Sequence, residues 1–345
     1  IFIMGKENKY IKSILVKKKK YKFFDKFMYF FVYFILLITL GVFKRTDWKT
    51  RSSQYKELIS GSVTNLSANS ILIATGQAFY ILISFIPIII MIMMILTNIT
   101  FTVNGSEPFN NFVKSEILNR FIPGIKTALP DFLVTFKDTN WSNIGILFLA
   151  ISTLWISING YSKLMASQST IYNHKNKGSW IYGKLKALFI VIAIVIFVSF
   201  SLIIITPIMM YLKQALINSE SVYDVLFYII SSFYLIFFFT SGWLLMFKWL
   251  PVFQLKFKDI VPGWIIASLS SAFFTIIFGY LVSNKYIKYE KYGSMASFLY
   301  LSTFSLYISY FFYFALTINY SYAQVFSTKT FKAKRFSKYK VEYTL

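Results

Sequence analysis

Six apolar runs, at about 68–99, 141–160, 187–212, 225–247, 260–283 and 296–318, carry no Asp, Glu, Lys, Arg or His in their interiors. The hydrocarbon core of a bilayer asks for about 20 residues of helix, and every backbone polar group inside it must be satisfied within the segment. Runs of this kind therefore predict an all-α, polytopic transmembrane helix bundle with six core spans. A seventh run, 27–43, is 17 residues long. At about 1.5 Å per residue it reaches roughly 25 Å, short of the roughly 30 Å core. It reads as an interfacial or re-entrant segment, with a tilted crossing as the alternative.

Charge orients the chain. The sequence holds 36 Lys+Arg against 13 Asp+Glu, a formal +23. With six spans and both termini on one side, that side carries 28 of the basic residues and the other 8, while the acids divide 6 to 7. The positive-inside rule then predicts that both termini lie in the cytoplasm. Were 27–43 also to cross, the nine lysines before it would change sides and the count would fall to 19 against 17. Residues 1–66 accordingly read as a basic cytoplasmic region, with Tyr55, Leu58, Ile59 and Val63 marking an amphipathic helix over 51–66. Residues 67–325 form the membrane domain and 326–345 a basic tail. The connection 100–140, with Pro108, Pro123 and Pro130, reads as a small external cap.

The residues needed for most enzymes are scarce. There is no Cys and one His, His174, in the basic loop 172–177 with no acid near it in sequence, so a hydrolytic triad has no footing. The thirteen acids are dispersed, with no cluster of the kind that holds catalytic metals. Neither a metal nor a cofactor is expected, and the chain reads as a non-enzyme. The lysine run at 17–20 and the basic tail face anionic lipid headgroups, the expected partners, rather than nucleic acid. Ion coupling would call for a costly charged group at mid-membrane, and the runs contain none.

What the runs do contain is neutral polarity: Asn69, Gln77, Tyr80 and Ser84 in the first, Trp155, Ser157 and Asn159 in the second. Two readings stay open. Such residues serve as interhelical hydrogen-bonding points, or they line a polar seam that passes a headgroup while its acyl chains stay in lipid. Pro87 should kink the first run and Pro207 the third. Pro251 follows the fourth, and Pro262 with Gly263 opens the fifth, where the first helical turn tolerates proline.

These residues also carry a resemblance. Residues 67–87, SANSILIATGQAFYILISFIP, are similar to the opening span of the YihY/BrkB family in Ala78, Phe79, Tyr80, Ser84, Phe85 and Pro87. Leu154, Trp155, Ser157, Asn159, Gly160, Leu164 and Tyr172 resemble its second-span signature. Trp249, Leu250 and Pro251, then Val261, Pro262 and Gly263, then Tyr292, Gly293 and Ser294 follow in the family's order. One departure is that 315–319 lacks the Glu with which members commonly end the last span, although Asn319 stands where their following Asn does. Residues 1–50 lie outside the resemblance. It implies a six-span plasma-membrane protein of little established chemistry, once labelled a tRNA-processing ribonuclease, with links between some members and envelope or lipid export.

The expected function is movement or export of a lipid or other amphiphile along the seam. The alternative is a non-transporting scaffold that recruits partners through its basic tails and external cap, and a membrane ribonuclease comes third.

Overall fold

The computed structural model describes residues 30, 52–65, 73–84, 88, 91–92, 109, 112–118, 120, 144–172, 174, 180–217, 219–326 and 334. Asn69 and Pro87 lie outside them, as does segment 27–43 except for Phe30, which is helical and exposed. Helix α1, Ser52–Asn65, forms where the amphipathic pattern predicts one. It belongs chiefly to a first compact unit, residues 1–64, separate from the second, residues 65–345.

The second unit contains α2 (Ile73–Ser84), α3 (Ile144–Ile171), α4 (Trp180–Ala215), α5 (Glu220–Trp249), α6 (Phe257–Ser283) and α7 (Ala296–Phe326). A short π-helix, Val113–Leu118, precedes α3, and a 3-10 turn, Tyr289–Met295, leads into α7. Among the described residues four helices, in α4 to α7, are long and apolar enough to cross a membrane. The predicted run 141–160 falls in the first part of α3, and the run 68–99 is described only in pieces. The protein is thus a multi-pass membrane protein with several apolar helices, four of which have the length and composition of a crossing.

Consecutive helices pack on one another from α3 through α7, and α7 returns to touch α3. Aromatic contacts fix the antiparallel alternation of the later pairs: Tyr228 of α5 meets Tyr280 of α6, and Phe278 of α6 stacks on Tyr300 of α7 at 4.9 Å. Inside lipid, apolar burial does not draw helices together, so close packing and hydrogen bonds must do so. Trp243 Nε1 donates to Ser271 Oγ at 3.0 Å and Trp264 Nε1 to the Thr240 carbonyl at 2.6 Å, tying α5 to α6.

Pro262 departs from expectation. Helix α6 begins at Phe257, so Pro262 stands in its second turn, inside the helix. The missing N–H there removes a bond that an interior position normally makes. The neighbouring Gly263 N–H donates instead to Asn319 Oδ1 of α7 at 2.7 Å. An added Cβ at Gly263 would lie 2.2 Å from the Ala315 carbonyl oxygen and 2.6 Å from Asn319 Oδ1. Only glycine lets the two backbones meet here. Pro207 likewise sits within an unbroken α4, its side chain facing outward.

Candidate functional site: two apolar cavities and a lysine collar

Helices α4 and α5 are apolar on nearly every face, and the side they turn inward does not close up. Two cavities result. The first, about 190 Å³, runs from Ile190 and Phe197 on α4 to Trp249 and Leu250 at the end of α5. The second, about 300 Å³, continues to Met209 on α4, Phe227 on α5 and Ile117 of the π-helix. Ile81, Tyr161, Ile194, Val198, Phe238, Phe239 and Ile308 border both, so the two are adjoining chambers. From Ile190 to Met209 at about 1.5 Å per residue the pair extends roughly 28 Å, close to a hydrocarbon core. Ser231 and Thr275 are among the few polar side chains in the walls.

None of the six seam residues that are described borders either chamber. Gln77, Ser84 and Ser157 are buried, Tyr80 and Asn159 are partly buried, and Trp155 is half exposed. Their contacts are between helices. Gln77 Nε2 donates to Ser167 Oγ of α3 at 2.7 Å. Gly160 of α3 lies so close to α2 that an added Cβ would be 2.1 Å from Ser84 Oγ and 3.1 Å from the Tyr80 carbonyl. From the other side Ser309 of α7 donates to the Ala74 carbonyl. Helix α2 is thereby fastened between α3 and α7 through Gln77, Ser84 and the Ala74 carbonyl. Trp155 instead lies under Lys184 Nζ, 4.7 Å from its ring centroid, with Trp180 at 5.7 Å. A lysine among exposed indoles suits the interfacial zone.

The connection 250–256 is folded in as core rather than left as a loop. Leu250, Pro251, Val252, Phe253 and Leu255 are all buried. Phe253 is gripped by Tyr172 at 4.9 Å and by the stacked His174 ring at 5.0 Å, and Tyr172 meets Tyr320 of α7 at 5.6 Å. Pro251, one residue beyond the C-cap Leu250, stops α5 and leaves carbonyls without helical partners. Lysines take them. Lys186 Nζ donates to the Leu250 and Pro251 carbonyls at 3.1 and 2.7 Å, Lys248 Nζ to Leu255 at 2.8 Å, and Lys334 Nζ to Lys248 at 2.9 Å. The Lys334 N–H also donates to the Val252 carbonyl at 3.0 Å. Burial, and then the charge of Lys248, push the Lys334 ammonium down to about 8. Burial and the nearby Asp259 charge raise the Tyr172 hydroxyl well above its ordinary value.

At the opposite end a cluster of two cations and two carboxylates is paired internally. Arg120 Nη1 pairs with Asp224 at 2.8 Å and its Nη2 with Glu116 at 3.2 Å, and Lys213 pairs with Glu116 as well. The guanidinium lies 4.5 Å from the Phe227 ring centroid. Burial acts to lower the Arg120 pKa, but the Asp224 hydrogen bond and the two carboxylate charges outweigh it and leave it raised. Among the described residues no three His, Asp or Glu side chains come together in a way that would hold a metal.

Sequence reasoning did not find the chambers, because a wall of Ile, Phe and Val looks the same as a packed core. Nor did it find Lys186 and Lys334 as partners of one turn, since they lie far apart in the chain. Gln168 was also missed: it is fully buried, and neither amide atom has a partner among the described residues.

No curated protein and no solved structure matches the chain. The family model for virulence factor BrkB does, over residues 65–338. That stretch takes in both chambers, the buried connection with its lysines, and the Gly263–Asn319 contact, so the chain belongs to the BrkB virulence factor family.

Proposed function

We propose that this protein moves a lipid or other amphiphile across or out of the plasma membrane, without a chemical step. The observation that carries this reading is the pair of adjoining apolar chambers, whose combined reach matches the length of an acyl chain bed. A dry cavity lined by Ile, Phe and Val holds hydrocarbon and excludes ions. The path therefore runs between α4 and α5 and takes the apolar part of the cargo, in place of a polar seam that takes its headgroup. The 28 to 8 division of basic residues supports both termini in the cytoplasm, with the collar of Lys186, Lys248 and Lys334 on that face.

The test is reconstitution in liposomes carrying a headgroup-labelled lipid, with an impermeant quencher added outside. Protein should accelerate loss of the protected inner-leaflet signal over empty liposomes. Filling the first chamber by Ala193→Phe should suppress the acceleration, while Phe189→Leu, on the exposed side of the same helix, should leave it. No acceleration by folded, inserted protein would refute lipid movement and favour the scaffold.

A further inference from the structure

Three ammonium groups converge where α5 ends, and among the described residues none of them is paired with a carboxylate; the ion pairs gather at the other end of the bundle. Each lysine ammonium has three donors. Lys186 spends two on carbonyls, while Lys248 and Lys334 spend one each on side-chain contacts, which leaves donors over on all three. Capping of α5 explains single contacts to exposed carbonyls. It does not explain three cations gathered against each other, two of them partly buried, since like charges drawn out of water repel. A dianionic or monoanionic oxygen group placed among them relieves that repulsion with charge-assisted bonds.

The collar and the first chamber share a wall. Lys186 holds the carbonyl of Leu250, whose side chain borders the chamber, and the half-exposed Trp249 beside it borders the chamber as well. We infer that the collar of Lys186, Lys248 and Lys334 binds the phosphate of a net-negative lipid whose acyl chain lies in the adjoining chambers. This rests on the lipid-moving reading and narrows it to a class of cargo: an anionic phospholipid presented from the basic face.

The test uses full-length protein in nanodiscs doped with phosphatidylglycerol or phosphatidylcholine bearing a diazirine on the acyl chain, followed by mapping of the crosslinks. Phosphatidylglycerol should label chamber residues such as Ile194, Phe238 and Met246 about 10-fold more than phosphatidylcholine does, the ratio expected from one charge-assisted bond. Lys186→Gln with Lys334→Gln keeps an N–H donor at each position and removes the charge. It should bring the two lipids level while thermal stability holds, whereas a purely capping role predicts unchanged selectivity. Equal labelling of the chambers by both lipids in the wild type overturns the headgroup site and leaves lipid movement standing. Labelling confined to outward residues such as Phe233 and Phe237 overturns the chamber assignment. If the two lipids label the chambers equally while inorganic phosphate raises the melting temperature of the wild type and not of the double variant, the collar is a site for free phosphate and the lipid form is wrong. Selective chamber labelling without acceleration in the liposome assay would retain the site and refute the movement.

Discussion

Gly263→Ala is the sharpest perturbation of the helix packing. The added methyl lies 2.2 Å from the Ala315 carbonyl oxygen, which is backbone and cannot rotate away, and 2.6 Å from Asn319 Oδ1. Overpacking of this kind costs about 1–3 kcal/mol. Separating α6 from α7 also breaks the 2.7 Å bond from the Gly263 N–H to Asn319 Oδ1, where both groups are buried. Leaving a buried donor unmet costs about 1–3 kcal/mol more. Against these, alanine in a helix interior gains about 1 kcal/mol over glycine. The net expectation is a destabilisation of about 3 kcal/mol, measured by reversible unfolding in mixed micelles. Asn319→Ala should cost about 1–2 kcal/mol through the same bond. The double variant should fall short of the sum, because removing Asn319 Oδ1 clears one of the two clashes and the bond is lost only once. A Gly263→Ala protein within about 0.5 kcal/mol of the wild type would show that α6 and α7 do not approach this closely.

Other consequences are open to measurement. Gly160→Ala should weaken the α2–α3 contact, and Ser84→Ala should rescue it in part, since Ser84 Oγ is the nearest atom to the new methyl; thermal melts of the two variants and their combination would decide. Arg120→Lys should destabilise the fold by about 1–2 kcal/mol, because one ammonium cannot bridge Asp224 and Glu116 while also covering the Phe227 ring; an unchanged melt would refute the bridging role. Selective labelling by phosphatidylglycerol should decline as pH rises toward and past about 8, where Lys334 loses its charge beside Lys186 and Lys248. The sign for the tail contact itself is the opposite. The folded-state pKa lies below the ordinary 10.5, so the unfolded chain binds more protons between about 8 and 10.5 and the contact strengthens with pH through that window. Hydrogen exchange at the Lys334 amide should slow relative to its intrinsic rate across the same interval.

Much of the bundle was legible because lipid imposes a crude requirement. Long charge-free runs had to be helices, and α4 to α7 cover four of the six with ends shifted by several residues. Those shifts mislead at Pro262: the membrane run begins near Ile260, but the helix begins at Phe257, so hydropathy marks where lipid starts and not where the backbone starts to coil. Gly263 and Asn319 appeared in the sequence as resemblance marks without a mechanism, since nothing in one chain says that residues 56 apart share a hydrogen bond. The seam residues were read as polar groups among apolar ones, and either glue or a cavity wall fits that description. Their side of the helix decides between the two, and the moment of an almost wholly apolar helix is too weak to reveal it. The chambers themselves are a matter of imperfect fit among bulky side chains, which depends on distances that composition does not contain.

The buried connection after α5 bears on how such a protein's topology is mapped. Accessibility labels and epitope insertions presume that a segment joining two crossings is bathed in solvent on its own side. Leu250 to Phe253 and Leu255 are buried, Phe253 is packed against Tyr172 and His174, and Lys334 is hydrogen-bonded to the Val252 carbonyl. A cysteine probe placed at Val252 or Phe253 would stay silent to reagents added on either side, and an inserted tag there would disrupt folding. Silence at this segment is a sign of burial, and reporters for sidedness belong on Gln254 or Lys256, the two positions of the turn whose side chains reach solvent.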